Sequence, residues 1–146
     1  MTDAERKAKL TEIFAKRAEA GHMPKNDSAL YQPELVELLE DGLLILKFPV
    51  LEWQCNGLGN IQGGQISSMI DLAFGAYSYV LADCSPAATV DMTTNYIRGV
   101  SPADKFLIIE THFPNRGRRI LHGESKVYTE QRKLVATAST NIIRLT

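Results

Sequence analysis

The chain has 146 residues, 45% apolar and 23% charged, with 16 Lys and Arg against 17 Asp and Glu. That length and composition suit one globular domain able to bury its own core, and a formal charge of -1 gives no general attraction to nucleic acid or to an anionic membrane. Two cysteines, Cys55 and Cys84, exclude a disulfide-dense scaffold.

The start, Met1 to Lys7, lacks the apolar core of a signal peptide, so reduced thiols and a cytoplasmic location are expected. Residues 3–20 are rich in Ala, Glu, Lys and Arg and place Leu10, Ile13, Phe14 and Arg17 on one side, which predicts a helix stopped by Gly21 and Pro24. Its apolar stripe is thin, so it is expected to lie on a surface. Residues 1–24 thus read as an N-terminal helix and loop ahead of a single domain over 25–146. Residues 24–33 read as a loop. Asp41-Gly42 between two apolar runs, 35–40 and 43–50, predicts a β-hairpin, although Leu35, Leu38 and Leu39 would also suit a short helical turn.

The central element is the clearest. Ile66, Met69, Ile70, Ala73, Phe74, Tyr77, Val80 and Leu81 follow helical spacing and define a broad buried stripe. This apolar segment carries Asp71 and falls short of the roughly 20 residues that span a bilayer, so no membrane partner is expected. Beside the stripe, Asp71 is flanked by Ser67, Gly75 and Ser78, small residues that would let a ligand or another chain approach. After Pro86 the pattern turns to strands at 88–98, 105–114, 119–129 and 134–145, joined by short turns. Connections that short cannot hold crossover helices, so the sheet is antiparallel. With one apolar helix to cover, it must curl. The predicted class is α+β, a strongly curved antiparallel sheet around one long helix, with an extra N-terminal helix.

The chemistry gathers where Asn56-Gly57-Leu58-Gly59-Asn60-Ile61-Gln62-Gly63-Gly64 runs into that helix. Glycines at a helix start leave N–H groups open to an anion or a polarised carbonyl, and Asp71 two turns on is a carboxylate that can accept a proton or attack. Taken singly, each residue has a plainer reading. Gly63 and Gly64 suit a loop and cap, Asp71 a polar helix position, Asn56 and Asn60 turns, and Thr89 an ordinary strand residue.

In combination they resemble a known family. Asn56 ahead of the loop, Gly63-Gly64 with Asp71 at its spacing, Val90-Asp91-Met92-Thr93-Thr94-Asn95-Tyr96-Ile97-Arg98 on the next strand and the Gly117-Arg118 turn are similar, in order, to the hotdog-fold acyl-CoA thioesterases of the phenylacetate-degradation type, over residues 35–145. The resemblance implies hydrolysis of an acyl-CoA thioester without a metal or bound cofactor. Asp71 would be general base or nucleophile, the Gly63 N–H the oxyanion donor, Asn56 the residue holding water or carbonyl, and Thr89 the support for the carboxylate. It implies a site shared between subunits, hence a homodimer, often paired into a tetramer. Gln62, Gly64, Tyr96, Arg98 and Gly99 would border the coenzyme A channel, and Arg116, Gly117, Arg118 and Arg119 would meet its phosphates. For the Arg cluster, a solvated hairpin tip is the competing reading.

Two departures stand out. Many relatives carry His where this chain has Gln62, which forms hydrogen bonds but does not titrate near neutral pH, and Gly99 stands where Pro is common. Two alternatives follow: a hotdog hydratase or dehydratase, disfavoured because no histidine lies in the glycine–helix segment, and a non-catalytic acyl-CoA sensor, kept open by Gln62 and opposed by Asp71. His112 and His122 fall on successive strands, where one register sets His112 against Glu124 and Glu110 against Lys126, ordinary cross-strand pairs rather than a metal centre.

Overall fold

The computed structural model describes residues 1–18 and 30–145. In chain order the elements are α1 (Asp3–Ala18), β1 (Glu34–Leu38), β2 (Leu44–Pro49), α2 (Gly63–Leu81), β3 (Ala87–Tyr96), β4 (Phe106–Arg116), β5 (Ile120–Thr129) and β6 (Leu134–Arg144). The expected helix stop at Gly21 and Pro24, and the side chain of Arg17, lie outside the described residues.

All strand pairings are antiparallel, and the strands form one sheet in the order β1-β2-β4-β5-β6-β3. The predicted α+β class and curved sheet are therefore observed. The β1–β2 hairpin turns where Asp41-Gly42 placed it: Gly42 takes φ +86, a value few other residues tolerate, and the Leu39 N–H bonds the Leu43 carbonyl. Strands β4 and β5 adopt the register that opposes His112 to Glu124 and Glu110 to Lys126. Glu110 takes its ion pair from Arg132 instead, at 2.8 Å.

Alternation along the strands puts Leu107, Ile109, Leu121, Val127 and Ile142 on one face, all buried against Met69, Ile70, Ala73, Phe74 and Tyr77 of α2. The wrap is tight at one point. A Cβ on Gly123 of β5 would stand 2.7 Å from the Phe74 ring and 2.9 Å from that of Phe113, so the missing side chain lets the edge-on Phe74–Phe113 pair close against the strand. The thin stripe of α1 reaches this core too. Leu10 is fully buried and Phe14 nearly so, and the helix packs on α2 and β1.

Topology leaves β3 at one edge of the sheet. Val90 and Tyr96 on it, and Ile97 just beyond, are exposed. Its inward face meets α2, and this places the candidate site.

Candidate active site

The chain enters α2 through a closed loop. Cys55 and Ile61 form an isolated bridge, the Asn56 N–H donates to the Asn60 carbonyl at 2.7 Å, and Gly59, at φ +81, returns its N–H to the Asn56 carbonyl. The Asn56 side chain closes the loop from inside, its Oδ1 accepting from the Leu58 N–H at 3.0 Å and the Asn60 N–H at 3.3 Å, an Asx turn. Buried Gln54 anchors the base: its carbonyl accepts the Gln62 N–H, and its Oε1 accepts the Leu51 N–H.

Gln62 is the N-cap of α2, extended at φ -67 and ψ 138 and without a side-chain cap bond. Its carbonyl accepts from Gln65 and Ile66, so the N–H groups of Gly63 and Gly64 head the helix with no acceptor among the described residues. A Cβ on Gly63 would stand 2.9 Å from the Tyr96 ring. Glycine is required there because Tyr96, at the end of β3, lies across the helix start. Its hydroxyl shares a 2.5 Å hydrogen bond with Ser67 Oγ, and Ser67 also donates to Thr94 Oγ1 at 3.2 Å.

One turn beyond Ser67 stands exposed Asp71. Thr89 of β3 donates from Oγ1 to its Oδ1 at 2.9 Å, which fixes the carboxylate on the flank of the helix and leaves the second oxygen outward. Gly63, Ser67, Asp71 and Gly75 recur every four residues and so share that flank. Ser78 does not belong with them: it is buried and donates to the Gly75 carbonyl. Asp71 follows Gly63 by eight residues, which at about 1.5 Å per residue separates them by about 12 Å along the helix. One chain therefore cannot aim both at a single carbonyl group.

These features can be set against known proteins. Residues 58–136, more than half of the chain, match the Thioesterase superfamily. The chain belongs to that family. Among solved structures, this thioesterase-superfamily chain is similar to thioesterase superfamily member 2 of Mus musculus, at 20% identity and a TM-score of 0.76, with both chains fully covered. It is also similar to the E. coli PaaI protein of the phenylacetic acid degradation operon, at 19% identity and a TM-score of 0.71 over 94% of this chain and 96% of that one. The smu.793 protein of Streptococcus mutans UA159, solved bound to acetyl CoA, matches at 20% identity and a TM-score of 0.71 over 86% and 97% of the two chains. No curated protein matches the sequence. These likenesses establish the hotdog fold.

The remaining predicted residues divide between two places. Gly99 sits under the Asn60 side chain, 3.3 Å from where a Cβ would be, and exposed Arg98 precedes it, so this strand end borders the loop ahead of α2. The Arg cluster lies elsewhere, at the β4–β5 turn. Arg116 Nη2 donates to Tyr77 Oη at 3.2 Å and crowds Gly42, whose carbonyl accepts from the same hydroxyl at 2.8 Å. Burial raises the Tyr77 phenol above its usual range, partly offset by the nearby Arg116 charge. Arg118 and Arg119 are exposed at the turn, and a Cβ on Gly117 would collide with the Ile120 carbonyl at 2.5 Å.

No group of three His, Cys, Asp or Glu among the described residues is arranged to hold a metal ion, and Cys55 and Cys84 are unpaired. His112 and His122 flank Glu124 at 3.5 and 3.9 Å. No described helix is long and apolar enough to cross a membrane. Thr94, and its bond to Ser67, is the part of the site that sequence reading passed over. The signal was present: Met92, Thr94 and Tyr96 alternate toward the helix with period two.

Proposed function

We propose that the protein hydrolyses acyl-CoA thioesters, as a dimer whose two sites each draw on both subunits, without a metal or bound cofactor. The observation that carries this is the Thr89-held carboxylate of Asp71 on the same helix flank as the open N–H groups at Gly63. In the reaction Asp71 accepts a proton from water as it adds to the thioester carbonyl, or attacks that carbon itself. The Gly63 N–H meets the oxygen as it gains negative charge, where a preorganised donor helps most. The C–S bond then breaks, and the coenzyme A sulfur leaves and takes up a proton. Asn56, with Oδ1 committed to its loop, offers Nδ2 to the water or carbonyl.

Separation along α2 supplies the argument for two subunits. The free edge of β3 presents unpaired backbone groups that a second copy can meet antiparallel. A two-fold axis there sets the α2 helices side by side in opposite directions. Centred on Ser67, midway between Gly63 and Asp71, it brings Asp71 opposite the partner subunit's Gly63. Two such dimers may pair without altering either site's composition in this arrangement. Tyr96, Gln62, Gly64, Arg98 and Gly99 border the pantetheine path. With Arg116 bound to Tyr77, the coenzyme phosphates fall to Arg118 and Arg119 at the turn formed by Gly117.

Asp71→Asn tests the reading. It preserves volume and removes the base, so thiol release from acyl-CoA esters should fall about 10²- to 10⁴-fold, the usual worth of a positioned base, with folding and assembly intact. Turnover that survives the change removes Asp71 from the mechanism. Tight binding by the wild type with no thiol release on any ester would make the protein a sensor.

A further inference from the structure

We infer that a groove of about 420 Å³ between α1, α2 and the start of β3 holds the acyl chain of the thioester as it runs from Asp71 toward Tyr79. This rests on the reading of Asp71 as the reacting carboxylate. The groove is lined by Ile13, Gly75, Ala76, Tyr79, Pro86 and Ala87, apolar but for one phenol, and its size suits a small-molecule site.

Both of its walls continue the elements that hold Asp71. Gly75 stands one turn beyond Asp71 on α2 and Tyr79 one turn further, on the same flank. Ala87 stands two residues before Thr89 on β3, on the same side of the strand. A chain attached to a carbonyl at Asp71 thus meets this trough directly.

Gly75 gives the second observation. Glycine weakens a helix interior relative to alanine, and nothing in the fold calls for it here. Its φ is not positive, and a Cβ would meet no atom within 4 Å, unlike those at Gly63 or Gly123. The fold would accept a side chain at 75, so the clearance serves something that passes over the helix beside the carboxylate. An acyl chain has the matching chemistry: it is apolar, narrow and covalently led to this point.

The test is an acyl-length profile. Thiol release is measured for wild type, Gly75→Ala and Gly75→Leu on saturated CoA esters from acetyl to palmitoyl, with molar mass recorded for each variant. A leucine at 75 fills the groove beside Asp71, so the ratio of kcat/KM for longer esters to that for acetyl-CoA should fall about tenfold or more, the effect of excluding a few methylenes from an apolar pocket. Gly75→Ala, which strengthens the helix, should shift the ratio in the same direction by less. A profile that keeps its shape in both variants overturns the groove assignment while leaving the thioesterase reading standing. Loss of assembly in Gly75→Leu would assign the surface to the partner subunit instead and equally overturn it. A wild type that releases thiol from no ester in the series fails the parent reading itself.

Discussion

Tyr77 brings a phenol into the core, and two groups meet it there. Its hydroxyl donates to the Gly42 carbonyl and accepts from Arg116, tying the β1–β2 turn to the end of β4 through the middle of α2. Removing the hydroxyl with Tyr77→Phe should cost about 1 kcal/mol, the net worth of such a bond, read as a lower urea midpoint at unchanged slope. The pH dependence has a definite sign. Burial favours the neutral phenol, so its folded-state value lies above the ordinary 10.0. Its contribution is complete below pH 10 and is lost as pH rises through the folded value, so the difference between wild type and Tyr77→Phe should shrink in alkali. Sequence placed Tyr77 on the apolar stripe but could not show that Arg116 turns inward to it. That contact joins residues 39 positions apart, beyond any local pattern. Asp71, by contrast, was conspicuous as the one acid in an apolar helix.

Among the elements, α2 and β5 explain how the sheet closes on its helix. The Phe74 and Phe113 rings occupy the space over Gly123, both buried. Gly123→Ala forces those rings aside in a packed interior and should destabilise the fold by about 1–3 kcal/mol, as overpacking does. A denaturation midpoint equal to wild type would mean that the rings shift at no cost. The strands themselves were legible because alternation and short turns are local properties: Asp41-Gly42 marked its hairpin, and the β4–β5 register followed from charge pairing. Strand order was not legible. Nothing within β3 states that it returns to the far side of β6, and only that placement makes it an edge and sets Thr89, Thr94 and Tyr96 against α2. The thin stripe of α1 also understated its role, since two well-spaced residues, Leu10 and Phe14, suffice to seat it in the core.

For the molecule as a whole, the central claim is that one chain holds two halves of two different sites. The reasoning needs only the rise of a helix and the open edge of β3, so it can be tested without a structure of the complex. Gly63→Pro removes the oxyanion N–H while suiting the first helical position, and Gln62 already has the extended backbone that precedes proline. It also moves Tyr96, so this variant and Asp71→Asn should each be inactive alone. The decisive measurement is thiol release after the two inactive variants are co-expressed or exchanged into mixed dimers. A mixed dimer pairs the intact Asp71 of one chain with the intact Gly63 of the other, so random mixing should restore about a quarter of the wild-type sites under two-fold symmetry. Activity that returns toward that level is the predicted result. Mixed dimers as inactive as either parent would place both halves of the site within one chain and contradict the shared arrangement.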